Sequence, residues 1–269
     1  MESLNRAYNG IRSFVDDFAN STTSSAPVPS KKMKNRDAWY AEWDDNYMGD
    51  FLDNKLTKAI LRKIADTYYG KQLDQLLAEA AELTSDTHPM LYEVFQYCCE
   101  ILGMNLQPKA YVTGRLRGIN ALSVEIKRKK IILISPKVAV KLSPEEQAFL
   151  LGHEIGHHQQ GTLVCHTVNG LVENFNTASA IFGPLVLDTI EVPLKRWCRR
   201  SEFNADRAGY ICCQDIQVIR QLFKKIGKIR NTSIYGEYKE IGAAHPMLKT
   251  RLNKLMDYIN KHNVEVYGL

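Results

Sequence analysis

The chain has 269 residues, 45% of them hydrophobic and 24% charged, enough to bury one large core or a domain with an added segment. A net charge of +5 does not by itself call for nucleic acid, and no zinc-finger, RNA-recognition or phosphate-loop pattern supports that role. The six cysteines include two adjacent pairs, Cys98-Cys99 and Cys212-Cys213, and no C-x-x-C, so reduced thiols rather than a disulfide framework are expected.

Residues 1–20 carry charges and no continuous apolar run, so no secretory signal is read there. Asn20 to Lys34 is rich in Ser, Thr and Pro and reads as a flexible linker after a short helix. From Asp37 to about Met104 apolar residues recur at helical spacing, first Leu52, Leu56, Ile60 and Ile64, then Leu73, Leu76, Leu77 and Ala80. Pro89 opens a further helix through Ile101, stopped by Gly103. Lys109 to Thr113, Ala121 to Ile126 and Lys130 to Ser135 then read as short strands. The basic residues between Lys109 and Lys141 read as a solvated face, with an acidic partner or membrane surface as the lesser alternative.

Three helix candidates follow: Pro144 to Gln160, about Pro193 to Cys213, and Pro246 to Asn260. The apolar stretch Ala178 to Leu187 is too short to span a bilayer, which takes about 20 residues. It reads as a buried helix or lid, with a membrane-dipping loop as the alternative. Helices, a small sheet and helices again make an α+β fold. The expected divisions are 1–36 as N-terminal helix and linker, 37–105 as a helical segment and 106–269 as the domain holding the sheet and the later helices. Missing export and spanning signals imply a soluble, cytoplasmic protein, with peripheral membrane contact left open.

The informative run is LSPEEQAFLLGHEIGHHQQG, residues 142–161. Ser143, Pro144 and Glu146 announce a helix start through an S-x-x-E capping box with proline at the first turn. His153 and His157 are one turn apart, so both imidazoles leave the same face and can reach one ion. Glu154 lies beside the first ligand, placed to act as a general base on water. The string H-E-x-x-H carries a false-positive risk on its own, but here it sits among Leu150, Leu151, Ile155 and Gly156, where surface histidines fit poorly.

A catalytic zinc takes three protein ligands and keeps a position for water. In SEFNADRAG, residues 201–209, Glu202 and Asp206 share a helix face, so Glu202 can close the site and Asp206 can hydrogen-bond a ligand imidazole. The bland alternative pairs both acids with Arg199, Arg200 or Arg207 on a surface. His158 points about 100° away from His157, and His166 lies beyond the Gly161 stop at the wrong spacing, so Glu202 is the preferred third ligand.

With HPMLYEVFQ at 88–96, Asn120-Ala121-Leu122, LSPEEQAFLLGHEIGHH, Glu202 with Asp206, and AAHPMLKTRL at 243–252 in order, the chain resembles the HtpX-like and CAAX-prenyl-protease-like gluzincin metallopeptidases. The likeness covers residues 88–260. It implies a zincin-like catalytic domain with a small sheet and active-site helices, behind a helical N-terminal segment. It also implies one Zn2+ per chain and a peptide or unfolded-protein substrate paired along the strand from Ala121, with Asn120, Ala121 and Leu122 at the binding edge. Glu154 would be base and then acid, His245 would steady the oxyanion and Arg251 would support the arrangement. The expected activity is zinc-dependent endopeptidase hydrolysis. A latent protease, or a zinc-containing interaction or chaperone-like protein with a structural metal site filled by Cys165 or Cys198, is the alternative. Membrane-bound relatives carry long spanning helices that this chain lacks.

Overall fold

The computed structural model describes residues 55–116, 118–160, 163–174, 184–227 and 248–261. In chain order these form α1 (Lys55–Ala78), β1 (Ala81–Glu82), α2 (Pro89–Ile101), β2 (Lys109–Val112), β3 (Ala121–Ile126) and β4 (Lys129–Ile134). Then come α3 (Pro136–Lys141), α4 (Pro144–Gln159), α5 (Leu163–Asn174), α6 (Pro184–Cys213), α7 (Ile216–Gly227) and α8 (Leu248–Lys261). The architecture is mixed α+β. The expected N-terminal helix and linker, His245 and Ala178 to Gly183 lie outside the described residues.

The four strands run in the order β1-β2-β4-β3, with β2 parallel to β4 and both β1 and β3 antiparallel to their neighbours. Strand β3 is therefore an edge. Ile126 pairs with Lys129 across a two-residue turn, in which Lys127 and Arg128 have φ of 51° and 59°. Such primed turns match strand twist but normally use Asn or Gly. Here Asp66 of α1 accepts the Lys127 amide and Asp74 accepts its ammonium, which offsets the left-handed backbone of these two residues.

Both sheet faces are covered. Ala110, Val112, Ala121, Ile132 and Ile134 join Val94, Phe95, Phe149, Leu151 and Ile155 in the main core, so α2 and α4 lie on one face. Val124, Ile126, Ile131 and Leu133 pack with Leu73 of α1 on the other. Alternation along β3 thus turns Ser123 toward α4, where its hydroxyl donates to the Glu154 carbonyl at 3.0 Å. Gly103, at φ 64°, ends α2 as expected, and the following Met104 N–H returns to the Cys99 carbonyl at 2.9 Å.

Helix α4 begins as its sequence announces. Ser143 Oγ accepts the Glu146 amide at 3.3 Å and Glu146 Oε2 accepts the Ser143 amide at 2.9 Å. Lys225 of α7 adds a 2.6 Å ion pair to the same carboxylate. Every residue from Glu146 to His158 is buried, so the helix has no solvent face there. Helix α6 starts at Pro184, nine residues before the Pro193 expected to open it. An interior proline removes one amide donor and crowds the preceding turn, a local cost that the packing of Leu194, Trp197 and Cys198 against α1 and α5 offsets.

Helices α4 and α6 approach more closely than side chains ordinarily permit. A Cβ on Gly156 would lie 2.8 Å from Ala208 Cβ, and one on Gly209 would lie 2.6 Å from the Phe149 carbonyl oxygen. No helix among the described residues is long and apolar enough to cross a membrane. All six cysteines are buried thiols outside any disulfide. Gly209→Ala tests the close approach: Gly to Ala in a helix interior ordinarily stabilises by up to about 1 kcal/mol, whereas forced overpacking costs about 1–3 kcal/mol. The variant is expected to melt below the wild type in thermal denaturation; a higher melting temperature would refute the tight contact.

Candidate metal centre

His153 and His157 leave α4 one turn apart, and Glu202 meets them from α6. The two Nε2 atoms are 3.1 Å apart. Glu202 Oε2 is 3.7 Å from His153 Nε2, and its Oε1 is 3.5 Å from His157 Nε2. A tetrahedral ion with ligand distances of about 2.0–2.2 Å has edges of roughly 3.3–3.6 Å, so two imidazole lone pairs and a carboxylate are placed to hold one divalent cation. Among the described residues these three form the one group of His, Cys, Asp or Glu so gathered. All are buried, with exposures of 5%, 5% and 3%, a location that excludes incidental surface histidines.

The far nitrogens of the two rings have different partners. His153 Nδ1 lies 3.0 Å from Asp206 Oδ1. If Nε2 is the ligand atom its lone pair must be free, so Nδ1 carries the proton and donates to the carboxylate. Arg251 of α8 donates from Nε to Asp206 Oδ2 at 2.8 Å and from Nη2 to Oδ1, and its Nη1 is 3.3 Å from Glu202 Oε2. The surface pairing with Arg199, Arg200 or Arg207 is thus not what positions these acids. Arg207 instead donates to Asn204 and stacks over Tyr258.

Burial opposes the charge on Asp206, but the Arg251 guanidinium and the His153 ring hold its carboxyl below the ordinary value. Burial also works against a charged His153, yet Asp206 and Glu202 outweigh it and raise its pKa despite opposition from Arg251. The negative potential that favours a proton on His153 would equally favour a metal cation, which needs the imidazole neutral.

Around this group the other expected residues fall as follows. Glu154 is buried beside His153, at 5% exposure. His166 sits on α5, 2.7 Å from Ser201 Oγ, and is not among the three convergent residues. Cys165 and Cys198 lie in the apolar cluster between α1, α5 and α6 and supply no fourth ligand to that group. Ala121 is buried at the edge of the sheet, and Asn120 and Leu122 are exposed.

Pairing in β3 assigns the even residues' backbone groups to β4, so those of Ala121, Ser123 and Glu125 face outward. The Glu125 amide donates to Thr167 Oγ1 of α5 at 3.0 Å. Ser123, Thr167 and Ser201 were not singled out from sequence. Serine and threonine occur widely, and their partners here are 31 to 44 residues away.

His158 departs from its neighbours. It faces away from the metal ligands, is buried, and its Nε2 has no hydrogen-bond partner among the described residues. Burial, with His157 and Lys130, pushes it down to about 3 against the opposing Ile131 backbone bond.

Two measurements follow from these environments. Because the folded pKa of His158 is depressed from about 6.5, its stabilising contribution is full above that pH and is lost as pH falls toward the folded value. Wild type should therefore lose stability faster than His158→Gln below pH 6.5, by at most about 1.4 kcal/mol per pH unit; parallel urea titrations at pH 7 and 5 would refute this. Arg251→Ala, which leaves two buried carboxylates uncompensated, should cost metal-free protein about 3–5 kcal/mol in urea unfolding. A change below about 1 kcal/mol would show that the ion pair is not holding α8 to the site.

Comparison with known proteins is consistent with this geometry. Residues 85–259 match the family described as Peptidase family M48, a span that contains both metal helices and strands β2 to β4. The plastoglobule-localized metallopeptidase 48, chloroplastic, of Arabidopsis thaliana is 30% identical over 159 residues, or 57% of this chain. The chain spans 39% of that relative's length. With a buried His-His-Glu group on two crossing helices inside the matched span, the chain belongs to peptidase family M48, among the HtpX-like gluzincin metallopeptidases.

Proposed function

We propose that the chain is a zinc-dependent endopeptidase, with His153, His157 and Glu202 as its metal ligands and Glu154 as its general base. The observation that carries this reading is the buried convergence of those three ligand atoms with Glu154 next to the first ligand on a helix that has no solvent face. Two neutral imidazoles and one carboxylate suit a borderline ion such as zinc, and three protein ligands leave room for substrate or water. Zinc held there would supply Lewis acidity and lower the pKa of a coordinated water toward about 7.

The rest of the chemistry falls to the chain. Glu154 takes a proton from the attacking water and returns it to the leaving amine. Asp206, fixed by Arg251, keeps His153 in the tautomer that presents Nε2. His245, by resemblance to the family, steadies the developing oxyanion. An extended peptide pairs along the β3 edge, where Ala121 and Ser123 offer outward backbone groups next to Asn120 and Leu122, as in strand addition generally. Cleavage within a chain rather than removal of terminal residues is part of the same proposal.

The catalytic domain is assigned to 106–269, the helical segment to 37–105 and the linker to 1–36, with one zinc per chain. Cytoplasmic residence is part of the same proposal. Peripheral membrane contact is the alternative, and the relative itself is plastoglobule-localized.

Glu154→Gln retains the ligands but removes the base, so it should keep one zinc per chain while casein cleavage falls by about 100- to 10,000-fold. Cleavage by wild type that stops on chelation and in the variant supports the mechanism. Equal cleavage by both proteins would remove Glu154 from the base role. Zinc bound in full with no cleavage of any unfolded protein would favour the structural-site or latent reading.

A further inference from the structure

The two metal-binding histidines have unequal support. His153 leans on a carboxylate that is itself held by an arginine. Among the described residues no acid reaches the far nitrogen of His157; its Nδ1 lies 3.2 Å from Ser201 Oγ, and the same hydroxyl lies 2.7 Å from His166 Nε2. Ser201 is fully buried, and the three residues belong to three helices, α4, α6 and α5. Gln160 of the chain just after α4 donates to the Ser201 carbonyl at 3.1 Å, so the serine is also held through its backbone. The His166 ring packs against His157 at 4.3 Å between centroids and edge-on to Trp197 at 5.2 Å.

The geometry points to Ser201 and His166 as positioning residues that hold His157 in its metal-binding tautomer through a chain of hydrogen bonds. This inference rests on the metal reading above. His157 Nε2 is turned toward His153 and Glu202, so as a ligand it keeps its lone pair there and its proton sits on Nδ1. That N–H donates to Ser201 Oγ. The serine has one hydroxyl proton, and the 2.7 Å separation directs it to His166 Nε2 as acceptor. His166 then carries its own proton on Nδ1. Both ends of the chain are fixed by one rotatable hydroxyl.

The arrangement also gives α5 a purpose beyond covering the sheet. The helix lies between the β3 edge, through Thr167 and Glu125, and the metal helices, through the adjacent His166. Substrate edge and metal ligand are therefore referenced to the same turn of one helix. His166, which its spacing excluded as a ligand, acts one hydrogen bond further out.

The test compares Ser201→Ala, His166→Ala and His166→Gln with wild type by zinc affinity, measured in competition with a chromogenic chelator. Ser201→Ala should weaken zinc binding by about 10- to 100-fold, the usual effect of removing an orienting partner of a metal-bound histidine. His166→Ala should weaken it less, since the serine hydroxyl can turn elsewhere. His166→Gln, which retains an acceptor, should recover most of the loss. Melting temperatures of the metal-free proteins should stay together. In zinc-loaded wild type, two-bond nitrogen–proton NMR correlations should show the proton of His166 on Nδ1.

Zinc affinity unchanged in Ser201→Ala would overturn the assignment. So would His166→Gln being no better than His166→Ala, or a His166 proton on Nε2. Metal-free variants destabilised as much as their zinc affinity falls would reduce the chain to a packing role. Wild type that takes up no zinc at all would overturn the metal site itself and the relay with it, whereas tight zinc binding with no peptidase activity would leave the relay standing and sink only the proposed reaction.

Discussion

Helices α4 and α6 pack almost backbone to backbone, and the rest of the site is built on that contact. Gly156 lies between the two histidines in sequence, opposite Ala205 and Ala208, and Gly209 lies under Phe149. Small residues on both sides let the helices close until an imidazole from one and a carboxylate from the other reach within a metal's span. A wider crossing, with larger residues in the seam, would leave Glu202 too far from His153 and His157 to share an ion. The glycines that weaken these helices locally are thus compensated by the packing they allow.

That closeness has an electrostatic cost. It places Glu202 and Asp206 in the interior beside Glu154, three carboxyl groups within a few turns of helix, and desolvating charges is expensive unless they are paired. The guanidinium of Arg251 answers two of them at once, bidentate on Asp206 and within 3.3 Å of Glu202. A metal cation would answer the third part of the problem, the excess negative charge facing the two imidazoles. The fold therefore holds a site whose electrostatics favour a cation, and α8 contributes to it although its residues lie about 50 positions from Glu202.

The two histidines are then oriented by chemically different means, a charged Asp–Arg pair for one and a serine hydroxyl shared with a histidine for the other. A second carboxylate at Ser201 would add yet another buried charge to the group. A hydroxyl supplies an acceptor without one, which accounts physically for a serine in that place.

Much of this was legible in the amino-acid order because it is local. A capping box, a proline at the first turn and two histidines one turn apart specify a helix and its ligand face within 16 residues, and the strand Ala121–Ile126 follows from alternation and its flanking turns. Glu202 with Asp206 could be read as a pair for the same reason. Apart from the family resemblance, which pointed to Arg251, the sequence could not show which cation they meet. Local spacing made Arg199, Arg200 and Arg207 equal candidates for the acids, and only the docking of α8 brings Arg251 to them. Pro193 marked a helix start by local rule, yet packing on both sides of it carries α6 back to Pro184. Ser201, His166, Ser123 and Thr167 are common residues whose roles consist of a partner on another element, and sequence separation hides such partners. What the chain determined by itself is therefore the periodic and covalently near chemistry. What tertiary structure decided is which far-apart polar groups share a buried space, because only there does each one require a partner.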